Sequence, residues 1–523
     1  MDKIVDKLSL RQSNWASLLK TKKHIDLNEP TRRLMLHELY HTVEYDNTVY
    51  VIGFGCLGTL VTFILHKLLK TPNIIVVECD SERNGTDLKS VVEKFGGSFV
   101  CRKITKENYE EIFKDAKKGD IVIDCAYDID SAEIIKFLHS KSTSYINTSI
   151  EEWSYKNVTD IKQYTIYNRN KVISEECKKL TDWKSNCIVS MGCNPGCVNV
   201  WTQIGLDLID KEFNFAESIT ETYSELCKRL NVQTIHISEI DTQKSTRPKL
   251  VDEYCNTWGS TIHPFYEEAI APCELTYGTH ETVFDDCSER IDVGDNTYAV
   301  FDRMACYTNA QSYSPIYGSF IGMMIRHDEC HTIGQNLKCY DKDGNCEYSP
   351  SVYYVYHPND LTMMSIYELK QKNLTYQSKY RLMSREIECG MDELGVLYFL
   401  GDGYIYWIGS YLNINEARNL LPETKEEYDD LEDYVNATNI QVVGGIIPTV
   451  LKLMNMANNN EHNGLITPET IPYDELFPIM RLFLGDFEFT RISDYKPFAQ
   501  SNKFSRQSDK KIEYDLKTFL TKM

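Results

Sequence analysis

Short apolar runs alternate with segments of helical periodicity from residue 47 to about residue 150. Val49–Ile52, Ile74–Glu78 and Ile121–Cys125 are runs of strand length that are rich in β-branched residues. Leu57–Leu69 and Ala132–Leu138, which lie between such runs, carry apolar residues at helical spacing. Strands that alternate with helices in this way predict a doubly wound parallel sheet of the α/β class.

After residue 210 the pattern changes to runs rich in Thr, Tyr, Val and Ile that are separated by turns, as at Gln233–Ile240 and Ser351–His357. This pattern predicts a mainly antiparallel sheet with helices, which is an α+β domain. The predicted regions are an N-terminal extension that Pro30 interrupts (1–46), a Rossmann-type domain (47–200), an α+β substrate domain (201–420) and a mainly helical C-terminal segment (421–523).

A glycine-rich turn joins the first predicted strand to the first predicted helix. It is a GxGxxG motif, which reads Gly53-Phe54-Gly55-Cys56-Leu57-Gly58. In such a motif the first glycine permits the tight turn, the second lets a pyrophosphate approach the backbone, and the third lets the helix pack closely on the strand. Because the unpaired N–H groups at the helix N-terminus favour an anion, these six residues predict a dinucleotide site.

An acidic residue at the end of the second strand refines this prediction. Glu78 lies twenty residues after Gly58, where a carboxylate binds the ribose 2′-hydroxyl and repels a 2′-phosphate. The sequence therefore favours NAD over NADP, and Asp80 is the alternative for the same role. Asp124 ends the next long strand, where it would face the cofactor or the substrate.

The charge of the chain limits the classes of partner. The formal net charge is -21, so nucleic acid and an anionic membrane surface are disfavoured, whereas small polyamines and other cations are attracted over long range. Alternatively, the negative charge only keeps the protein soluble and indicates no partner. The segment Met1–Trp15 lacks an apolar signal core, and the 17 cysteines are scattered. We therefore expect a cytoplasmic protein whose cysteines are free thiols and that has no metal site.

Several segments after residue 193 resemble those of the bacterial-type homospermidine synthases, which are relatives of the saccharopine-dehydrogenase-like oxidoreductases. The resemblance lies between residues 53 and 442. The matching segments are Asn194-Pro195-Gly196, His236 to Gln243, Asn256-Thr257-Trp258, Pro272 to Glu281, Tyr356-His357-Pro358 and Asn436 to Val442.

The resemblance implies a reaction in stages. Putrescine is oxidised beside a nitrogen and passes a hydride to NAD, ammonia is lost, and a second putrescine condenses as a Schiff base. The stored hydride then reduces this imine to homospermidine, and spermidine can serve as an aminobutyl donor in the same scheme. NAD thus acts as a prosthetic group, and the family implies a homodimer formed through the second domain.

A diamine with an apolar four-carbon stem calls for carboxylates at its ends and an aromatic face beside a cationic intermediate. Trp258 is the best candidate for that face, because tryptophan is the strongest ring for a cation–π contact, and the resemblance implies the same role. The further roles that the resemblance implies are a glutamate of the inner amine site at Glu239, a glutamate near the entrance at Glu268, an active-site histidine at His327, an asparagine near nicotinamide at Asn194, and further acidic groups at Asp124 and Glu151.

Several assignments have alternatives. Two extra residues separate Trp258 from the Pro-x-Glu-Leu segment, so Glu267 competes with Glu268. Glu152 competes with its neighbour Glu151, and Asp241 either supports Glu239 or binds the other ammonium. The Gly-Thr-His-Glu segment adds His280, which is either a further proton carrier or a structural residue, and Glu281, as a substrate-binding carboxylate.

Two other functions remain open from the sequence. A different saccharopine-dehydrogenase-like enzyme of NAD(P)-dependent reductive amination would need an Arg or Lys clamp for a carboxylate substrate, and Arg247 and Lys249 are the nearest candidates. A non-catalytic NAD-binding sensor would bind the nucleotide without turnover. The abundance of Glu, Asp and Trp in the substrate segments favours a diamine enzyme.

Overall fold

The computed structural model describes most of the chain. Its described residues are 24–25, 27–83, 85–153, 163–213, 221–259, 261, 266–281, 290–293, 297–422, 428–497 and 514–521, with the backbone alone at 24–25, 266–267, 290–293, 302 and 430.

Within the described residues, the first sheet has seven strands, all of them parallel. Across the sheet, the strands are Ser98–Cys101, Ile74–Glu78, Val49–Ile52, Ile121–Asp124, Ser144–Asn147, Asn186–Ile188 and Gly464–Ile466. The strand order reverses beside Val49–Ile52, and ligands of such sheets bind at this point, outside the carboxyl ends of the strands. The predicted Rossmann-type sheet is therefore confirmed. Its last strand comes from residues far outside 47–200, and the predicted domain ends stay predictions.

Helices cover both faces of this sheet and connect the remaining strands. The described α-helices are Glu29–Glu38, Cys56–Leu68, Leu88–Lys94, Tyr109–Ile112, Ser131–Lys141, Ile166–Lys178, Cys197–Glu212, Tyr223–Arg229, Asp328–Asn336, Asp360–Gln371, Ile414–Leu420, Ala437–Asn459, Tyr473–Met480 and Leu516–Phe519.

The second sheet is mixed and has eleven strands in the part of the chain that the structure describes. Its main path runs through His24–Ile25, Asp486–Ile492, Ile405–Asn413, Met391–Leu400, Val232–Asp241, Ser351–His357, Pro272–Thr276, Tyr298–Met304 and Arg290–Val293, with Gly318–Ile325 and Asn309–Ser314 on a branch. Val232–Asp241 pairs in parallel with Ser351–His357, whereas its pairing with Met391–Leu400 is antiparallel. The smaller sheets pair Glu82–Arg83 with Thr86–Asp87, Lys244–Ser245 with Ile387–Cys389, Glu253–Asn256 with Lys379–Leu382, and Cys339–Tyr340 with Cys346–Tyr348.

The role of Pro30 differs from the prediction. It lies in the first turn of the helix Glu29–Glu38, which begins after the capping residue Asn28. Proline is compatible with that position because the first N–H groups of a helix have no partner within the helix. Pro30 therefore begins a helix and does not interrupt one.

The helix Ala437–Asn459 is long and apolar enough to cross a membrane by length and composition, but 78% of its apolar window is buried inside the protein. It packs against the helix that follows the glycine turn and also against both sheets. The chain beyond it returns to the first sheet at Gly464–Ile466 and then to the second at Asp486–Ile492. Residues after 436 thus join the two halves of the molecule.

Candidate active site

A cavity of about 880 Å³ lies between the carboxyl ends of the parallel strands and one end of the second sheet. One side is formed by the glycine turn and the strand ends, and the other by residues from the second sheet and its connections. Predicted site residues that line it are Gly53, Gly55, Cys56, Leu57, Glu78, Asp80, Glu151, Asn194, Glu239, Trp258, Glu268 and His327. The structure thus brings the predicted dinucleotide and amine residues to one cavity.

The glycine turn has the geometry that the motif predicts. Gly53 has a φ of +79°, and a Cβ atom built on Gly58 would lie 1.9 Å from the carbonyl oxygen of Gly53. Gly55 caps the helix Cys56–Leu68, which presents its N-terminus to the cavity. Phe54 and Gly58 shape the turn from behind and do not line the cavity. This cradle fits a dinucleotide pyrophosphate.

Glu78 is held at the end of its strand by hydrogen bonds. Its Oε2 accepts from the Phe54 N–H at 2.7 Å, and its Oε1 accepts from the N–H groups of Cys79 and Asp80 at 2.7 and 3.2 Å. Burial alone would raise the pKa of Glu78, but these donors and the Arg83 guanidinium lower it overall. An ionised carboxylate therefore lies where the ribose 2′-hydroxyl of NAD would bind.

Asp124 does not line the cavity. It is buried and accepts hydrogen bonds from the Tyr145 hydroxyl at 2.9 Å and from the Ala126 N–H at 3.0 Å. Burial raises its pKa to about 6. The cavity wall at this strand is formed by the next residues, Cys125 and Ala126.

Glu239 is the buried carboxylate of the substrate side. Its Oε2 accepts from the Asn194 side-chain amide at 2.8 Å and from the Tyr354 hydroxyl at 2.6 Å. Burial, together with the charges of Glu268 and Asp241, raises the pKa of Glu239 to about 7, although the hydrogen bonds from Tyr354 and Asn194 act in the opposite direction. The carboxyl therefore changes its charge near neutral pH.

Asp241, two residues along the same strand, lies behind this site. Its two oxygens accept from four donors: the backbone and side-chain N–H groups of Gln243, the Thr257 hydroxyl and the Asn359 amide. A carboxylate has about four acceptor positions, so Asp241 is saturated. It supports the strand that carries Glu239 and does not face the cavity.

Asp392 was missed by the sequence reasoning. It is paired with Asp241 across the neighbouring strand and is 1% exposed. The Gln441 amide donates to its Oδ2 at 3.1 Å, while no hydrogen bond within the described residues reaches its Oδ1. Burial and the charges of Glu239 and Asp241 raise its pKa well above the usual value. Two acidic residues inside the apolar strand Met391–Leu400 were the available signal.

His327 lies between two carboxylates. Its Nδ1 is 3.0 Å from Glu329, and its Nε2 is 3.9 Å from Glu268, whose own pKa burial raises. Burial alone would lower the pKa of His327, but Glu329 and Glu268 raise it well above the usual value. The two carboxylates therefore favour the protonated form of this imidazole.

Trp258 belongs to an aromatic wall. Its ring contacts that of Tyr356 edge to face at 5.5 Å, and Tyr356 stacks on Tyr354 at 5.7 Å. The two tyrosines are two residues apart on the strand Ser351–His357, so their side chains lie on the same face, and both line the cavity. The Cys56 thiol donates to the Trp258 carbonyl at 3.7 Å, which links this wall to the helix of the glycine turn.

Glu151 and Glu152 both line the cavity beside Arg169. Arg169 is 4.0 Å from Glu151 and 3.5 Å from Glu152. The shared guanidinium partner does not select one glutamate over the other. The side chain of Glu267 lies outside the described residues.

The Gly-Thr-His-Glu segment does not reach the cavity. Glu281 accepts from the Leu516 N–H at 2.9 Å and from the Ser351 hydroxyl at 2.6 Å, and the His280 Nε2 is 3.1 Å from the Tyr514 carbonyl. The segment therefore anchors residues 514–521. The carboxylate of Glu281, which we predicted to bind substrate, is held by these structural donors away from the cavity, and its predicted role stays a prediction.

Substitution Glu281→Ala is expected to lower the free energy of unfolding by about 1–3 kcal/mol, because it leaves the Leu516 N–H without its charged acceptor. Dinucleotide affinity should stay within about twofold. Urea unfolding followed by fluorescence measures the first effect. The exposed Glu347, paired with Lys228, is the matched control, and Glu347→Ala should change stability by less than about 0.5 kcal/mol. Weakened dinucleotide binding with unchanged unfolding would contradict this placement.

Comparison with known proteins adds the family context. Residues 49–185 match the family described as the saccharopine dehydrogenase NADP binding domain. A homospermidine synthase of Mesorhizobium japonicum is 27% identical over 84% of this chain and 90% of its own length, and one of Blastochloris viridis is 26% identical over 86% and 91%. These relatives confirm the resemblance that the motifs indicated.

The fold has a solved counterpart. The crystal structure of a homospermidine synthase from Legionella pneumophila in complex with NAD has a TM-score of 0.79 and 24% identity to this chain, over 92% of this chain and 99% of that one. The agreement in fold extends over both sheets.

Proposed function

We propose that this chain, an enzyme of the homospermidine synthase type within the saccharopine-dehydrogenase-like family, joins two putrescine molecules into homospermidine with release of one ammonia. The reaction balances without a net oxidant, since a hydride that leaves the first amine is returned to the imine formed with the second. The co-crystallised NAD of the Legionella relative and the ionised Glu78 support NAD as the hydride carrier.

The observation that carries the proposal is the position of Glu239. A buried carboxylate faces a cavity that continues to the glycine turn, with Trp258, Glu268 and His327 on the same walls. A diamine offers one ammonium to such a carboxylate and an apolar stem to the aromatic wall. Buried charge is stable only when it is paired, so this site favours a cationic guest.

The residues that line the cavity have separate roles in the proposed reaction. Glu239 holds an ammonium when ionised and accepts its proton, because an amine must be uncharged before hydride leaves the adjacent carbon. Protonated His327 holds a proton at Nε2 beside Glu268, where it can pass it to departing ammonia. Trp258 stabilises the cationic imine through its ring face. NAD, when bound, supplies a reversible hydride acceptor.

Carboxylate substrates are less well matched. Arg247 is 3.2 Å from Glu253, Lys249 forms an ion pair with Glu368, and neither lines the cavity. Arg169 and Arg326 do line it, but they are paired with Glu152 and Glu274 at 3.5 and 3.4 Å. The charged groups that face the substrate side are thus mainly carboxylates.

The test supplies putrescine, deuterated at both amine-bearing carbons, to the protein with its co-purified nucleotide and no other redox substrate. Mass spectrometry should find homospermidine that retains every carbon-bound deuterium, with one equivalent of ammonia. A product that loses one deuterium when unlabelled NADH is added would show free exchange of the cofactor. Turnover of an amino acid with net NADH formation, and no homospermidine, would contradict the proposal.

The rate should depend on pH through Glu239. Because its ionised form binds the ammonium, kcat/KM for putrescine should rise with pH and level off above the pKa of about 7, with about a tenfold lower value one pH unit below it. Removing the Glu268 charge by Glu268→Gln should move the inflection to lower pH. A profile that is flat from pH 6 to 8 would rule out this role.

The proposal has three further parts. Spermidine serves as a second aminobutyl donor, the protein forms a homodimer through the second domain, and it is located in the cytoplasm. Competition between spermidine and labelled putrescine tests the first. Light scattering after size exclusion should give twice the mass of the chain, and a monomer at micromolar concentration would contradict the second. Fractionation of cells that make the protein tests the third.

A further inference from the structure

Arg83 lies beside the carboxylate that is expected to bind the ribose. It belongs to the short hairpin of Glu82–Arg83 and Thr86–Asp87, which directly follows the strand of Glu78. One guanidinium nitrogen donates to the Phe54 carbonyl at 2.5 Å, and the other is 3.3 Å from Glu78 Oε2. Arg83 also lines the cavity, so its guanidinium is accessible from the cofactor side.

The donors around Glu78 leave little room for a ribose hydroxyl. Three backbone N–H groups, the Cys79 thiol and Arg83 already contact its two oxygens, and a carboxylate offers about four acceptor positions. A 2′-hydroxyl that donates to Glu78 therefore has to replace one of them. The contact with Arg83 is the longest of the five, at 3.3 Å, and it does not hold the backbone of the turn.

If the ribose hydroxyl replaced the Arg83 contact with Glu78, the displaced guanidinium nitrogen would stay next to the 2′-position. The other guanidinium nitrogen would still be bound to the Phe54 carbonyl. A guanidinium at this place is the group that accommodates the 2′-phosphate in NADP-binding Rossmann domains. Here it is combined with the carboxylate that NAD-binding domains use. The two determinants therefore occur side by side in one site.

We propose that Arg83 is a latent 2′-phosphate receptor, so that the nucleotide preference of this protein depends on the single carboxylate of Glu78. This inference rests on the proposed function, since it assumes that a dinucleotide occupies the glycine turn. Glu78 repels the phosphate and occupies the guanidinium. Once that carboxylate is neutralised, Arg83 binds the phosphate and the protein accepts NADP.

The experiment measures dissociation constants of NAD⁺ and NADP⁺ by calorimetry on the full-length protein after its nucleotide has been removed. The parent should bind NAD⁺ at least tenfold more tightly than NADP⁺. Glu78→Gln should tighten NADP⁺ binding by about 10- to 100-fold, as gain of a charge-assisted contact and loss of repulsion predict. Adding Arg83→Met should then weaken NADP⁺ by about tenfold and NAD⁺ by less than about threefold.

Arg102 provides the matched control. It also lines the cavity, but it is 42% exposed and paired with Glu111 at 2.7 Å. In the Glu78→Gln background, Arg102→Met should change NADP⁺ affinity by less than about threefold. An effect as large as that of Arg83→Met would mean that the general positive field attracts the phosphate, and the assignment to Arg83 would be overturned.

Arg83 also supports the glycine turn, so Arg83→Lys in the Glu78→Gln background is the second variant. Lysine keeps the charge but cannot bridge two partners, and NADP⁺ affinity alone should fall by about three- to tenfold. An equal fall for both nucleotides, or no fall, overturns the inference. If the parent binds neither nucleotide, the proposed function fails. If the parent binds NAD⁺ but Glu78→Gln gains no NADP⁺ affinity, only this inference fails.

Discussion

Substitution Glu239→Gln is expected to lower kcat/KM for putrescine by about 10³-fold. The change removes the charged partner of a buried ammonium, which costs about 2–5 kcal/mol, and also the group that accepts its proton. Shape and the hydrogen bonds with Asn194 and Tyr354 are largely kept, because glutamine has the size of glutamate. Steady-state rates of homospermidine formation measure the effect.

Glu393→Gln is the matched control for this prediction. Glu393 is a buried glutamate on the neighbouring strand, but it accepts from Ser314 and lies outside the cavity. Its replacement should leave kcat/KM within about threefold. Equal losses in the two variants would mean that removal of a buried charge damages the sheet, and the role of Glu239 would have to be abandoned.

Trp258→Leu should lower kcat/KM by about 30-fold or more. Leucine keeps apolar volume but lacks the ring face, and a desolvated cation–π contact contributes about 2 kcal/mol. Trp258→Phe, which keeps a ring, should retain most of the activity. Both variants should bind the dinucleotide with unchanged affinity, since Trp258 faces the amine side of the cavity.

Trp183→Leu is the control for the loss of a large ring. Trp183 packs against His139 and Gly464, away from the cavity, so the turnover rate should stay within about twofold. If Trp258→Leu and Trp258→Phe had equal activity, apolar contact would account for the function of Trp258 and the cation–π role would be refuted.

The first sheet was predictable because its strands are local, apolar and separated by helices. The strands Val49–Ile52 and Ile74–Glu78 coincide with the predicted runs, and Ile121–Asp124 is one residue shorter than its predicted run. Its seventh strand, Gly464–Ile466, was not predictable. Three residues carry little periodicity, and their partner strand lies far away in the sequence.

The site was predictable where a motif fixes side-chain direction, as for Glu78 and Glu239. It was not predictable where contacts with other residues decide whether a carboxylate faces the cavity. Asp241 is two residues from Glu239 on the same strand, yet four donors saturate its carboxylate. Glu281 follows a motif but is used by the C-terminal segment, whereas Asp392 reaches the carboxylate cluster from a strand distant in sequence.

The path of the chain has a consequence for how the cavity can move. The chain passes from His24–Ile25 in the second sheet to the first, then back to the second, again to the first at Gly464–Ile466, and finally to Asp486–Ile492. Swinging the two sheets apart on a single hinge would strain all four connections together. Under the proposed function, such a cavity would exchange substrates through its mouth and would hold the product of the first oxidation until the second amine condenses with it.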